Sequence, residues 1–492
     1  MPYIDFVSKD DRISLWYVTN TRHGGTGDFE LAKPVVVMLH PLFLDSTWLA
    51  TQFEDPRLYT RFNLIAFDMR SAGRSTARPS GAHDTWVDAA DLAFAIQALG
   101  LPSAHFFAVE NISVNAALRI AALFPELCSS LTLINVPPPT ELEWVFEMYG
   151  ELLNMWCHPQ DLDEFDHALL ELTNCLLGKV LPLDSTPELQ DELVAFWSLT
   201  YPPWRRSRVY EVMHCVLNRT PLSDRVLACV TQPTLIIQSD KTDINPIKYA
   251  ERLSKQLVNV EGKARVHVIK GSPEYVTLVP TCASIVNRVF AEFLSRQTNL
   301  YIPVTLQMIS PTERRERAQE ALEKLADLME DPSIAERDPA SALSFSCVTP
   351  EVLQSQSDVL SRQALNEREA FSPLGMDGRP CRRFSERYND HWFQAEKEDA
   401  PHSYQLNKEE KLKALENLVT RTEYLSTSAK DANGEYLSAQ EPVSSEVART
   451  GRLRRSTISK HVVEKATIGG AGFAPTTVIA NTIHMTKMFN YK

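Results

Sequence analysis

Residues 106–126 read FFAVENISVNAALRIAALFPE, and this stretch decides the fold class. It begins with an apolar run typical of a buried strand, and residues 115–124 have the apolar spacing of a helix. A short turn, residues 109–113, separates the two. A buried strand that leads through a tight turn into an apolar helix is the repeating unit of a parallel sheet covered by helices.

The same alternation extends along the first 300 residues. Short apolar strands are predicted at residues 34–40, 63–69, 104–109, 130–135, 233–239 and 265–271. Helices with a 3.6-residue apolar period are predicted at residues 85–100, 115–124, 246–257 and 284–297. The sequence therefore predicts an α/β fold, a mostly parallel sheet with helices on both faces.

Three regions of different composition follow from this pattern. The predicted strands place an α/β core at residues 1–137 and 226–299. Between these two parts, residues 138–225 are helical in pattern and rich in aromatic side chains. Open α/β sheets bind ligands at the carboxyl ends of their strands, so we expect this insertion to form a helical lid over that edge.

Residues 300–492 form a polar C-terminal extension that we expect to be partly helical and partly disordered. Residues 312–331 and 408–425 have the pattern of charged amphipathic helices, and the first is expected to dock on the core or on a partner. Residues 451–460, GRLRRSTISK, place basic side chains before two hydroxyl groups, as in sites for basophilic kinases. One hypothesis is therefore a scaffold whose extension carries regulation or binds a protein partner.

Composition excludes several classes of function. A net charge of −13 opposes binding to nucleic acid, and no apolar run reaches the ~18 residues of a membrane span. The acidic N-terminus and eight scattered cysteines without CxxC pairs predict a cytoplasmic protein with reduced thiols. Cys157–His158 and His214–Cys215 are neighbours that do not share a helix face, so we predict no metal site and no cofactor.

Three motifs resemble the α/β-hydrolase superfamily, in particular its lid-bearing branch of esterases, lipases and epoxide hydrolases. LHPLFLDSTW at 39–48 is similar to a strand followed by the family's HG turn, and FDMRSAGRS at 67–75 is similar to its DxRGxGxS segment. LRIAALFPE at 118–126 resembles the helix that follows the nucleophile. The resemblance implies a Ser-His-Asp triad, with its serine in a GxSxG turn, beside an oxyanion hole.

The residues at the three triad positions differ from that pattern. The resemblance places Asn111 at the nucleophile, Thr242 at the acid and Glu274 at the base. A carboxamide is not a nucleophile at neutral pH, and a carboxylate with its usual pKa near ~4 is a weak base. Asn tolerates left-handed backbone, so the turn itself is expected to persist. We therefore predict a non-catalytic or strongly impaired protein, a pseudoenzyme that binds a small apolar ligand or a protein partner.

The predicted ligand pocket surrounds the same turn. Pro41 replaces the glycine of the HG turn and has no amide hydrogen, so the oxyanion-hole donors would be the amides of Leu42 or Phe43 and of Ile112. The residues predicted to line the pocket are His40, Leu42, Phe43, Asn111, Ile112 and Glu274.

The alternative is an active esterase, lipase or epoxide hydrolase with displaced catalytic residues. Ser113 would then be the nucleophile, Asp243 the orienting acid, and His267 or Glu274 the base. Each also has a simpler interpretation. Ser113 is an ordinary serine at a helix start, Asp243 a solvated loop carboxylate, and His267 a histidine packed in a strand.

Overall fold

The computed structural model describes residues 2–177, 186–297 and 308–380. Nine strands form one sheet in the order β1-β2-β4-β3-β6-β7-β8-β9, with β5 paired to β2. The strands are β1 Tyr3–Val7, β2 Arg12–Thr19, β3 Val35–Leu39, β4 Asn63–Phe67, β5 Thr76–Ala77, β6 Ala104–Val109, β7 Cys128–Ile134, β8 Thr234–Ser239 and β9 Arg265–Ile269.

Helices cover both faces of this sheet and form the insertion. They are α1 Ala50–Phe53, α2 Pro56–Tyr59, α3 Thr85–Ala98, α4 Glu110–Leu123, α5 Glu143–Cys157, α6 Leu162–Leu177, α7 Thr186–Thr200, α8 Arg206–Leu217, α9 Asp224–Leu227, α10 Ile247–Gln256, α11 Pro280–Gln297, α12 Pro311–Met329 and α13 Pro350–Ala364. Within the described ranges, no helix has both the length and the apolar character needed to cross a bilayer.

The six strands from β3 to β9, apart from the short β5, pair in parallel, as the sequence predicts. Every residue of β3, β4 and β6 is buried, which explains why these strands read as continuous apolar runs. The sequence analysis does not predict the antiparallel edge formed by β1, β2 and β5. Because the strand order brings the ends of β3, β6, β7 and β8 together, the loops that follow them meet at one edge.

Helices α5 to α8 lie between β7 and β8 and bury their own apolar cluster against the core loops. We call this set the insertion cluster. Its members include Leu42, Phe43, Trp48, Tyr149, Trp156, Trp197, Tyr201 and Tyr275. Aromatic contacts cross from the core loop to the insertion, since the rings of Phe43 and Trp156 lie 5.0 Å apart. The carboxyl edge of the sheet is therefore covered by packed side chains.

The C-terminal extension contributes two helices that pack on the rest of the chain. Residues 312–331 are predicted to dock on the core or on a partner, and α12 buries Leu322 and Leu325 in the core cluster. Helix α13 lies in a segment to which the sequence assigns no regular structure. It contacts α8 and buries Val359 and Leu360 in the insertion cluster. The predicted helix at 408–425 and the basic segment at 451–460 lie outside the described residues.

Candidate functional site

The turn between β6 and α4 keeps a sharp strand-to-helix geometry although it contains no glycine. Val109 ends the strand in extended backbone, Glu110 has a left-handed φ of 61°, and Asn111, with φ 13° and ψ −99°, lies outside the helical region. Left-handed backbone costs a residue with a Cβ roughly 1–2 kcal/mol. The expected turn is therefore present, but the left-handed residue is Glu110 and not Asn111.

The carboxamide of Asn111 is buried and bound to a charged pair from the insertion. Its Nδ2 donates to Glu141 Oε1 at 3.0 Å, and its Oδ1 accepts from Arg219 Nη1 at 3.3 Å. Arg219 forms an ion pair with Glu141, and its Nη2 donates to the carbonyl of Pro138 at 2.7 Å. Both side chains of that ion pair are almost fully buried. The residue at the nucleophile position thus joins the turn at residues 109–113, called the elbow below, to the two ends of the insertion.

The other two triad positions meet at the ends of β8 and β9. The Thr242 hydroxyl donates to Glu274 Oε2, and Asn245 Nδ2 donates to Glu274 Oε1 at 2.6 Å. Asn135, at the end of β7, donates to the Glu274 carbonyl at 2.5 Å. Burial raises the pKa of Glu274 to about 7, although the hydrogen bonds from Thr242 and Asn245 oppose that shift. Glu274 is therefore a far stronger base than an exposed glutamate.

Glu110 is a second buried carboxyl at this edge, and the sequence analysis does not identify it. It is 2 % exposed, and its Oε1 has no hydrogen-bond partner among the described residues. Burial, together with the nearby charge of Glu274, holds the pKa of Glu110 well above its usual range. The signal available in the sequence was an acidic residue directly after an apolar strand.

Comparison with known proteins identifies the scaffold. The sequence profile described as alpha/beta hydrolase fold matches residues 34–276. These residues belong to the α/β-hydrolase fold superfamily. The match spans the sheet from β3 to β9 together with the helical insertion, so the family resemblance of the three sequence motifs is confirmed.

Several solved structures are similar to the α/β-hydrolase part of the chain. An esterase from Thermogutta terrifontis is 17 % identical, with a TM-score of 0.48, over 60 % of this chain and 99 % of that one. An enol-lactonase from Burkholderia xenovorans LB400 is 14 % identical, with a TM-score of 0.46, over 60 % and 100 % respectively. The comparison with curated protein sequences gave no significant match. Similarity at this level of identity concerns the fold and not the activity.

The displaced catalytic residues are not brought together in this α/β-hydrolase domain. The Ser113 hydroxyl is buried in α4 and donates to the His40 carbonyl at 2.6 Å. Asp243 is exposed, and the partly buried His267 lies in β9 opposite Ile237. No hydrogen bond or ion pair in the described parts of the chain links any two of these three side chains.

The imidazole of His40 is also engaged with the backbone. Its Nε2 accepts from the Met69 amide at 3.0 Å, and its Nδ1 lies 2.9 Å from the Pro41 carbonyl. This pattern fixes a neutral ring with the proton on Nδ1. Burial also lowers the pKa of His40, so the ring supports the loop and does not face the elbow as a base.

The remaining predicted pocket residues are mostly buried at the same edge. Leu42 and Phe43 are buried, whereas Ile112 is half-buried and packs on the insertion cluster. The Leu42 carbonyl accepts from the Tyr275 hydroxyl at 2.7 Å, and the Phe43 carbonyl accepts from Trp197 Nε1 at 3.0 Å. The amides of Leu42 and Phe43 donate no hydrogen bond within the described residues. The six predicted residues thus follow β3, β6 and β9 at the carboxyl edge of the sheet.

Proposed function

We propose that this protein is a non-catalytic member of the α/β-hydrolase fold that binds a small, mostly apolar ligand between the core and the insertion. The observation that carries this proposal is the hydrogen bonding of the triad positions. Asn111 is bound to Glu141 and Arg219, and Thr242 is bound to Glu274. A serine mechanism needs a hydroxyl activated by a base, and the hydroxyl of Ser113 is already donated to a backbone carbonyl.

The class of ligand follows from the surroundings of the elbow. Ile112, directly after Asn111, packs on the aromatic insertion cluster, so a ligand at this position meets mostly apolar side chains. The amides of Leu42 and Phe43 have no partner among the described residues and are available to a single carbonyl oxygen. An apolar molecule with one carbonyl group, such as an ester, a ketone or a protonated fatty acid, fits this combination.

Activity is tested first with a fluorophosphonate probe for serine hydrolases and with simple nitrophenyl esters. We expect no covalent labelling and no turnover above that of the heat-denatured protein. The matched variants are Ser113→Ala, which removes the hydroxyl next to the elbow, and Asn111→Ala. Labelling of the natural protein that disappears in Ser113→Ala contradicts the proposal and favours the displaced triad.

Binding is tested by quenching of tryptophan fluorescence with a series of straight-chain methyl ketones. We expect affinity to rise with chain length, since each buried methylene contributes about 0.8 kcal/mol. Phe43→Ala should weaken binding at least about tenfold, because this ring joins the core loop to Trp156 of the insertion, with ring centroids 5.0 Å apart. Val258→Ala, an exposed apolar position, is the control. Equal weakening by both variants, or no dependence on chain length, contradicts the proposal.

A second candidate function is general acid–base catalysis by Glu110 and Glu274. Three observations favour it: the strained backbone at Glu110, its unpartnered carboxyl oxygen, and the raised pKa of both carboxyls. In this scheme Glu274 takes a proton from an attacking water while protonated Glu110 gives one to the leaving group. The test is turnover of a panel of esters, lactones and epoxides between pH 5 and 9.

Acid–base catalysis predicts that Glu110→Gln and Glu274→Gln each abolish the activity, whereas Glu147→Gln, on an exposed face of α5, leaves it unchanged. The rate of the natural protein should also rise with pH around 7 as Glu274 ionises. A natural protein without turnover on the whole panel, or with an activity that both glutamine variants retain, excludes this function.

A further inference from the structure

A second cluster of buried polar groups joins the insertion to the core away from the elbow. Helix α8 carries Glu211 and Cys215 four residues apart, and hence on one helix face. Opposite them lie His83, in the loop before α3, and Asp88, in the first turn of α3. All four residues are at most 3 % exposed. None of them belongs to the residues that surround the elbow.

Three of these side chains present potential metal ligands to one point. One ligand atom from each of His83, Asp88 and Cys215 lies within 4.8 Å of the other two. His83 Nε2 lies 2.9 Å from Asp88 Oδ1, and the Cys215 sulfur lies 3.4 Å from the His83 carbonyl. Tetrahedral ligands about 2.0–2.3 Å from a zinc ion are separated by roughly 3.5 Å. Side-chain shifts of about 1 Å or less would bring these atoms to that spacing.

The hydrogen bonding of the cluster is incomplete without a further group. Asp88 Oδ2 has no hydrogen-bond partner in the described residues, although the residue is 1 % exposed. His83 Nδ1 likewise makes no hydrogen bond, and it lies 3.4 Å from Glu211 Oε1. Buried polar atoms are normally satisfied, and each one left unpaired costs about 1–3 kcal/mol. A metal ion would satisfy the free carboxylate oxygen, which a His83–Asp88 ion pair does not.

The types of ligand indicate which ion the cluster suits. Imidazole nitrogen, thiolate sulfur and carboxylate oxygen together favour zinc, whereas Ca²⁺ and Mg²⁺ prefer oxygen alone. A thiolate and a carboxylate supply two negative charges, which a divalent ion neutralises in a site that water does not reach. Glu211 accepts from the Ser80 amide at 2.9 Å and the Ser71 hydroxyl at 2.5 Å, so it is held beside the ligands by core loops.

We propose that His83, Asp88 and Cys215 bind one zinc ion that links helix α8 of the insertion to helix α3 of the core. The role is structural, because the ligands are buried and come from both sides of the interface. Sequence analysis of neighbouring pairs missed this site, since Cys215 meets residues about 130 positions earlier and not its neighbour His214. The site is independent of the ligand-binding function proposed for the elbow.

The test uses the reduced full-length chain, stripped of metal with a chelator and titrated with Zn²⁺ against a chromophoric competitor. We expect about one zinc ion per chain. Removing a residue that only hydrogen-bonds to a metal ligand typically costs about 10–100-fold in metal affinity. Cys215→Ser and His83→Asn each remove a ligand itself, so each should weaken zinc binding by at least about 100-fold. Cys157→Ser, a change at another buried cysteine of the insertion, is the control and should bind as the natural protein does.

Spectroscopy of the natural chain with Co²⁺ does not depend on whether the variants fold. Co²⁺ added to the natural metal-free chain should give the intense near-ultraviolet charge-transfer band of a cobalt–thiolate bond, and Zn²⁺ should remove it. Zinc should also raise the melting temperature of the natural protein but not that of Cys215→Ser. The proposal is overturned if the natural chain binds no zinc, if the cobalt complex lacks a thiolate band, or if Cys215→Ser binds zinc as tightly as the natural chain.

Discussion

Arg219→Met is the sharpest test of how the elbow is held in place. In the natural protein the Arg219 side chain pairs with Glu141 and also donates to the carbonyls of Pro138 and Val216. Only 2 % of the Arg219 side chain and 1 % of the Glu141 side chain are exposed. Methionine is an unbranched apolar side chain that replaces the aliphatic stem of arginine, but it leaves the Glu141 carboxylate buried without a positive partner.

The expected cost can be estimated from the burial of the pair. Removing one member of a buried ion pair destabilises a protein by about 3–5 kcal/mol, because the other charge remains uncompensated. Removing the second charge as well takes away that penalty, and replacement of a buried pair by hydrophobic residues of similar volume is often neutral or stabilising. We therefore expect Arg219→Met to lose about 3–5 kcal/mol, and the double variant Glu141→Gln/Arg219→Met to recover most of that loss.

Urea unfolding followed by tryptophan fluorescence measures these differences, because Trp156 and Trp197 are buried in the insertion. Arg225 and Asp327 form a comparable pair on the surface, with side chains 45 % and 73 % exposed. Arg225→Met is the control and should change the free energy of unfolding by less than about 1 kcal/mol. A loss below about 1 kcal/mol in Arg219→Met, or no recovery in the double variant, would refute the reasoning.

Two further predictions concern titration and the C-terminal helix. The folded state raises the pKa of Glu274 to about 7, so the free energy of unfolding should fall by roughly 3 kcal/mol through this residue as pH rises from about 4.5 to 7. Glu274→Gln should flatten this pH dependence, as measured by urea unfolding. A Cβ at Gly81 would lie 2.8 Å from the Leu353 carbonyl and 2.3 Å from Ser357 Oγ. Gly81→Ala should therefore displace α13 and speed amide exchange at residues 350–364. Gly25→Ala, which has open space around it, is the control and should leave that exchange unchanged. An unchanged exchange rate in Gly81→Ala would contradict the packing of α13 against the loop at residue 81.

The core was predictable from sequence because its signals are local. The six parallel strands were each predicted, and their bounds differ from the predicted ones by at most two residues at either end; the short β5 was not predicted. Helix α13 was not predicted, since few of its residues are apolar and its buried side chains depend on a partner surface in the insertion. Docking surfaces of that kind involve distant parts of the chain and leave little periodic signal.

The site was predictable only in part. Motif spacing identified Asn111, Thr242 and Glu274, and the structure places the last two in direct contact. The partners of Asn111 could not be found in the same way, because Glu141 and Arg219 lie 30 and 108 residues away. The basicity of Glu274 was also underestimated, since the usual pKa of a glutamate applies to a solvated side chain and this one is buried.

Helix α13 and the residues that follow it hold helix α8 of the insertion. Arg206 of α8 donates to the carbonyls of Gln363 and Leu365, and the α8 amide of Ser207 donates to Glu367. The insertion is therefore fastened by a segment that begins well beyond the superfamily domain. For the proposed ligand to enter by a movement of α8, these contacts must break or α13 must move with α8, so the proposed entry rate depends on residues far from the site in sequence.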